Sequence, residues 1–267
     1  MGAADTAREQ ARNLFVLGRL DQAREVAAEA LSIDGSDAAT LRLLSQIEGA
    51  SGDLDLARSH AQAAVSADQS ALSFLVLASV ERRSGDYAAA ISACEAGLDR
   101  DPERADLHST MSLAWSGPWL SEQPARLSDR QRHAAETAER LARESLELDP
   151  EHAMGWYALA VAKLVHNDPF AAATAMDDGL ALHPDWAEGH LLMSSIRGRQ
   201  GMVKLASRHL ATAGRLSPGD DAAVRRLRAI AGRIGFRRRR ANTSAWWLAP
   251  EARAILEADA RLGGDRA

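Results

Sequence analysis

Three sets of side chains in this sequence could do chemistry. The stretch HPDWAEGH carries His183 and His190, and His108 stands upstream of it. Imidazoles at helical spacing hold metals or move protons when further donors converge on them. Cys94 is the only thiol of the chain, and a thiol reacts only where its surroundings favour the thiolate. Glutamate-rich runs such as ARESLELDPE offer carboxylates, but they read as solvated helix faces. The third set is a basic run, Arg237, Arg238, Arg239 and Arg240, followed by Trp246 and Trp247. Charge beside interfacial aromatics suits an anionic surface. No GxSxG, P-loop, HExxH, CxxC pair or GxGxxG occurs, so no enzyme, cofactor or metal centre is expected.

The elements that position these residues follow from composition and spacing. The chain has 267 residues, 46% of them apolar, with 4% aromatics and 8 prolines. Alanine and leucine dominate throughout, which favours helix. Residues 222–240 hold eight arginines and no acid, so the acids of this net-acidic chain concentrate before them. A single cysteine can form no internal disulfide and fits a reducing compartment. The opening MGAADTAREQARNLF has no signal-type apolar run, and no stretch reaches the ~18 apolar residues of a membrane span. These features predict a cytoplasmic protein.

The dominant feature is self-similarity. Alanine recurs at Ala23, Ala57, Ala90, Ala138, Ala172 and Ala206, at intervals of 34, 33, 48, 34 and 34 residues. Seven residues after each stands a second small residue: Ala30, Ala64, Gly97, Ser145, Gly179 and Ala213. Twelve before each stands a third: Ala11, Ser45, Ala78, Ser112, Ala160 and Ser194. Small residues at fixed places on two helices let their backbones approach closely. Leu44, Leu77, Met111, Leu159 and Met193 supply bulk beside one column, and Leu31, Val65, Leu98, Leu146 and Leu180 beside another. Gly18, Gly52, Gly85 and Gly201, with Asn167-Asp168-Pro169, separate the two helices. Pro102, Pro150, Pro184 and Pro218 punctuate the repeat ends.

This pattern resembles the tetratricopeptide repeat, a helix-turn-helix unit of about 34 residues. The resemblance is closest in AMGWYALAVAKLVHNDPFAAATAMDDGLALHPDW, with Trp156, Leu159, Ala160, Ala172, Gly179 and Pro184 in the family's columns. It covers residues 4–220 as six repeats: 4–37, 38–70, 71–104, 105–152, 153–186 and 187–220. Gln10 replaces a bulky residue in the first repeat, and Gly35 and Gln69 replace prolines. The fourth repeat carries a loop insertion near 116–130, where Pro118 and Pro124 forbid a continuous helix. Residues 221–235 place Val224, Leu227, Ile230 or Ala231, and Ile234 on one face, as a capping helix would. The resemblance implies an all-α, right-handed superhelical solenoid of antiparallel helix pairs, with 236–267 as a basic, Trp-containing tail.

In that frame His183 falls in an inter-repeat turn and His108 and His190 in a packing column, so packing or solvated histidines are expected rather than ligands. Cys94 falls in a core column of the second helices. What remains is surface. The family resemblance places a concave groove on the first helices. Its amino-terminal half would present Arg8, Arg12, Arg42, Gln46, Ser79, Arg82 and Arg83. Its carboxy-terminal half would present Leu113, Met154, Tyr157, Val161, Leu164, Val165 and Leu191. The family subtype that captures acidic chaperone C-termini needs asparagines and further basic residues where Arg12, Leu43, Leu72 and Val76 stand, so that subtype is not implied. The expected function is a non-enzymatic protein-interaction scaffold or adaptor that binds a partner peptide or helix in this groove. The alternative is a tether to an anionic membrane surface or to nucleic acid through Arg237–Arg240 and Trp246–Trp247, with nucleic acid the weaker of the two.

Overall fold

The computed structural model describes residues 2–120 and 126–217. The expected capping helix at 221–235 and the tail at 236–267 lie outside the described residues. Every regular element among them is helical, and the chain divides into two compact units, 1–158 and 159–267.

The amino-terminal unit holds α1 (Ala3–Val16), α2 (Leu20–Ile33), α3 (Ala38–Ser51), α4 (Leu54–Ala67), α5 (Ala71–Ser84), α6 (Tyr87–Leu98), α7 (Ala105–Ser116) and α8 (Asp129–Leu148). A short 3-10 turn, Gly117–Trp119, follows α7. Helix α9 (Ala153–Val165) crosses the division. The carboxy-terminal unit continues with α10 (Pro169–Leu182), α11 (Ala187–Arg199) and α12 (Val203–Leu216).

Local chemistry starts and stops these helices. Asp37, Asp53, Ser70, Asp86, Ser128 and Asp168 each cap a helix by accepting from backbone N–H groups one turn in. The turns inside the pairs require positive φ: Gly18 at 72°, Gly52 at 93°, Gly85 at 85°, Gly201 at 76° and Asn167 at 60°. Glycine enters this left-handed region freely, and asparagine is the residue that substitutes best. Nothing crowds Gly52, so Gly52→Ala is expected to cost about 1 kcal/mol through backbone strain alone. Gly52→Asn should cost clearly less. Urea unfolding of both variants checks the order.

Consecutive helices α1 to α8 pack as antiparallel pairs, and each pair packs on the next. The three small-residue columns are where this happens. The alanines at 23, 57, 90, 138, 172 and 206 are all at 0% exposure, and the companion small residues are buried with them. Two serines in the first-helix column also satisfy themselves across their own pair: Ser45 Oγ donates to Ala57 O at 2.8 Å, and Ser112 Oγ to Ala138 O at 2.7 Å. At Gly97 an added Cβ would lie 2.8 Å from Leu107 Cδ1, and Leu107 is itself fully buried. Bulk beside the columns supplies the apolar burial: Ile47, Leu107, Met176, Met193 and Leu210 are enclosed, each contributing about 1.5–3 kcal/mol relative to exposure.

One column binds through its ring nitrogens. His108 Nε2, Trp156 Nε1 and His190 Nε2 each lie 3.0 Å from the carbonyl oxygen of the proline six residues earlier, Pro102, Pro150 and Pro184. A carbonyl only accepts, so each ring donates, which fixes the Nε2–H form of both histidines. These packing-column rings therefore tie α7, α9 and α11 to the turns that lead into them.

Candidate functional site

Helices α1, α3, α5 and α7, the first helices of successive pairs, touch one another in turn and form one face of the amino-terminal unit. Ion pairs strap this face together. From α1, Arg8 Nη1 donates to Asp37 Oδ2 at 2.6 Å, where Asp37 caps α3. One repeat on, Arg42 Nη1 donates to Asp68 Oδ2 and to Ser73 Oγ, both at 2.9 Å. Burial opposes ionisation of Asp68, but hydrogen bonds from Ser73, Ser70 and Arg42 outweigh it and bring the carboxyl down to about 2. Asp68 is a fixed anion at neutral pH, and the charge of Arg42 is answered inside the fold.

The next residue of that column is Leu75 on α5, and the strap is missing. There the face opens into a cavity of about 260 Å³. Leu75, Val76, Val80, Leu113 and Met154 give it apolar walls; Gln46, Ser79, Thr110, Arg82 and Arg83 give it polar ones. On the α7 side Ser109 Oγ lies 3.0 Å from His152 Nε2, and both residues line the cavity. Its acid, Asp106, is held on both carboxylate oxygens by Arg104.

The two arginines of the cavity differ. Arg83 Nη2 donates to Gly49 O at 2.6 Å. A Cβ at residue 49 would fall 2.7 Å from Arg83 Nη1, so the glycine is what lets the guanidinium rest on α3. Arg82 has its Nε buried with no acceptor among the described residues. Burial is the first cause that drives its pKa down.

Of the expected groove residues, Gln46, Ser79, Arg82, Arg83, Leu113 and Met154 meet at this cavity. Arg8 and Arg42 serve as straps instead, and Arg12 is exposed, 3.8 Å from Glu9 on its own helix. Tyr157 is half-buried on α9. Val161 and Leu191 belong to the carboxy-terminal unit, where Leu191 is half-buried. Val161, Leu164 and Val165 are 2%, 3% and 4% exposed, so they present almost no surface. Leu75, Val80 and His152 were not anticipated. Leu75 had a signal, because it replaces the arginine shared by residues 8 and 42. Residues 237–240, 246 and 247 lie outside the described residues.

Cys94 is fully buried, and burial pushes its thiol up to about 12. It is core filler. His183 stacks edge-on against Trp186 with ring centres 6.5 Å apart. No cluster of three or more metal-binding side chains occurs among the described residues. Nor is any helix there long and apolar enough to cross a membrane.

No protein-family model matches the sequence, and no curated protein matches it. Solved structures do resemble it. A Thermus thermophilus protein described as a thermophilic TPR protein, TTC0263, superposes with a TM-score of 0.54 at 16% identity, over 85% of this chain and 98% of that one. The protein has the tetratricopeptide-repeat fold. Two other neighbours are larger. A chain of the APC/C hetero-tetramer Cut9–Hcn1 gives a TM-score of 0.64 at 17% identity, and human IFIT1, a dimer with m7Gppp-AAAA, gives 0.69 at 14%. They cover 85% and 88% of this chain, but the chain spans only 42% of the first and 56% of the second. Within this fold the cavity lies on the side of α3, α5 and α7, lined from Ser45 and Gln46 on α3 to Met154 at the start of α9.

Proposed function

We propose that the protein is a non-enzymatic interaction scaffold that receives a segment of a partner protein on the first-helix face of its amino-terminal unit. The observation that carries this reading is the cavity at Leu75. Arg8 and Arg42 strap this face at two successive helix pairs; at Leu75, the next position of that column, it opens into the cavity, which Arg82 and Arg83 help to line. Its volume is below the ~300–1,000 Å³ usual for small-molecule sites, and it suits one or two inserted side chains. The helices that frame it are fixed by buried columns and ion pairs, so little ordering cost falls on the scaffold when a partner docks. The lone thiol is buried in the core and its pKa is pushed up to about 12, so Cys94 does not serve as a nucleophile.

Site-specific photocrosslinking tests the proposal. A photoreactive amino acid at Ser79, which lines the cavity, is expected to crosslink a partner protein in the source cells. The same group at Phe170, which is 64% exposed on the carboxy-terminal unit, is not. Ser79→Trp, which fills the cavity, should reduce capture of that partner about tenfold and leave the melting temperature unchanged. Crosslinking from Phe170 but not from Ser79 would place the interaction elsewhere.

A further inference from the structure

The cations of the first-helix face are accounted for, with one exception. Arg8, Arg12 and Arg42 face carboxylates, and Arg83 donates to a backbone carbonyl. Arg82 is half-buried, and its Nε is shut from solvent with no acceptor among the described residues. The acid that lines the same cavity, Asp106, is committed to Arg104. A guanidinium does not deprotonate in proteins, so it cannot escape the cost of burial by becoming neutral. The missing counter-charge then comes from whatever enters the cavity.

The chemistry of the entrant can be narrowed. A guanidinium with a buried, unanswered Nε–H matches a carboxylate, and the apolar side chains that share the cavity suit a carboxylate carried on a side chain better than a fully hydrated phosphate. Apolar side chains line the same cavity from both sides: Leu75 and Val80 from α5, Leu113 from α7 and Met154 from α9. A bound segment therefore runs past Arg82 rather than ending on it, and an aliphatic side chain beside the acid has walls to bury against.

We infer that Arg82 anchors the side-chain carboxylate of an Asp or Glu within the partner segment, with a neighbouring aliphatic side chain of that segment seated between Leu75, Val80 and Met154. This rests on the groove reading given above. The carboxylate fits the guanidinium fork in a charge-assisted pair, which is strong because the cavity has already stripped water from Nε. Arg82 thus sets the selectivity of the groove, and the straps at Arg8 and Arg42 only hold its frame.

The test is a display library of random peptide segments, constant on both flanks so that no free carboxy-terminus is presented, selected on the full chain. Enriched segments are expected to carry Asp or Glu within two residues of Leu, Ile or Met. As blocked synthetic peptides, they should lose about 30-fold in affinity on Arg82→Met. The Glu→Gln peptide should lose as much against the parent, and the two losses should not add. Arg82→Met should also keep or raise the melting temperature, by about 2 °C, because it removes an unpaired desolvated charge. Enriched peptides without an acid, or equal affinity for Arg82→Met, would overturn the inference. If Ser79→Trp still abolishes those peptides, the groove itself survives. A lower melting temperature for Arg82→Met with unchanged binding would make the residue structural and also overturn it. No enriched segment at all would remove the inference and the peptide groove together.

Discussion

Arg24→Met is expected to destabilise the protein by about 3 kcal/mol, the cost of leaving a buried carboxylate without its partner. Arg24 reaches from α2 to α3 and grips Glu48 on both oxygens, Nε to Oε1 at 2.7 Å and Nη2 to Oε2 at 2.9 Å. Glu48 is 2% exposed. Methionine keeps much of the stem's packing, so the loss isolates the charge. The figure sits at the low end for buried pairs because Arg24 itself stays partly in water, 36% exposed. Urea unfolding of Arg24→Met, Glu48→Met and the double variant measures it. The double variant should recover most of the loss, since two apolar side chains of similar volume replace a desolvated pair. A double variant as unstable as Arg24→Met would show that packing, not charge, was lost. The same geometry recurs one repeat on, where Arg58 from α4 holds the buried Glu81 of α5. The two pairs couple adjacent repeats, so each should matter locally.

Those pairs mark the limit of what spacing alone reveals. The columns of small residues are legible because close helix approach forbids bulk at fixed intervals, and interval survives in sequence even as residue types drift. The turns are legible for a similar reason: positive φ selects glycine at 18, 52, 85 and 201, and asparagine at 167. The proline-to-ring hydrogen bonds were equally open to view, since Pro102 and His108, Pro150 and Trp156, and Pro184 and His190 share one spacing. Arg24 and Glu48 are different. They meet only because α2 packs on α3 in one register, and in sequence each reads as a solvated charge.

The same limit governs the site. Arg8, Arg42, Arg82 and Arg83 all fall on first helices in sequence, and nothing in their spacing says which are neutralised. Asp37 and Asp68 decide that for Arg8 and Arg42, from turns 29 and 26 residues downstream. Gly49 decides it for Arg83. Arg82 is left over by subtraction, which needs coordinates. The apolar positions at 161, 164 and 165 failed as groove residues for a related reason. A Val or Leu on a helix surface and one in a core are the same letters, and only packing distinguishes them.

His209 is expected to make the carboxy-terminal unit lose about 2 kcal/mol of stability as the pH falls from about 7 to about 4. His190 and His209 stack with ring centres 5.3 Å apart, and their Nδ1 atoms lie 3.0 Å apart. His190 Nε2 donates to Pro184 O, so in the neutral ring its Nδ1 is an acceptor and His209 Nδ1–H donates to it. A second proton on His209 would go to Nε2 and leave a buried cation stacked on the ring of His190. Burial, then the neighbouring His190 and Arg197, bring His209 down to about 4, against a smaller opposing pull from Asp177. Its folded value is thus below the ~6.5 of an unfolded histidine, so the unfolded chain binds more protons between those limits. Stability is full above about 6.5 and is lost as pH falls through that window. The full linkage would exceed about 3 kcal/mol, reduced here to about 2 because His209 keeps part of its surface in water. His60 is also lowered by burial and acts with the same sign, so the informative quantity is parent minus variant. His209→Gln keeps a donor toward His190 and has no proton to gain. Its urea midpoint should therefore fall less than the parent's between about pH 6.5 and about pH 5, a range above the carboxylate titrations. Parallel profiles for the two proteins across that range would mean that His209 is as easily protonated in the fold as out of it.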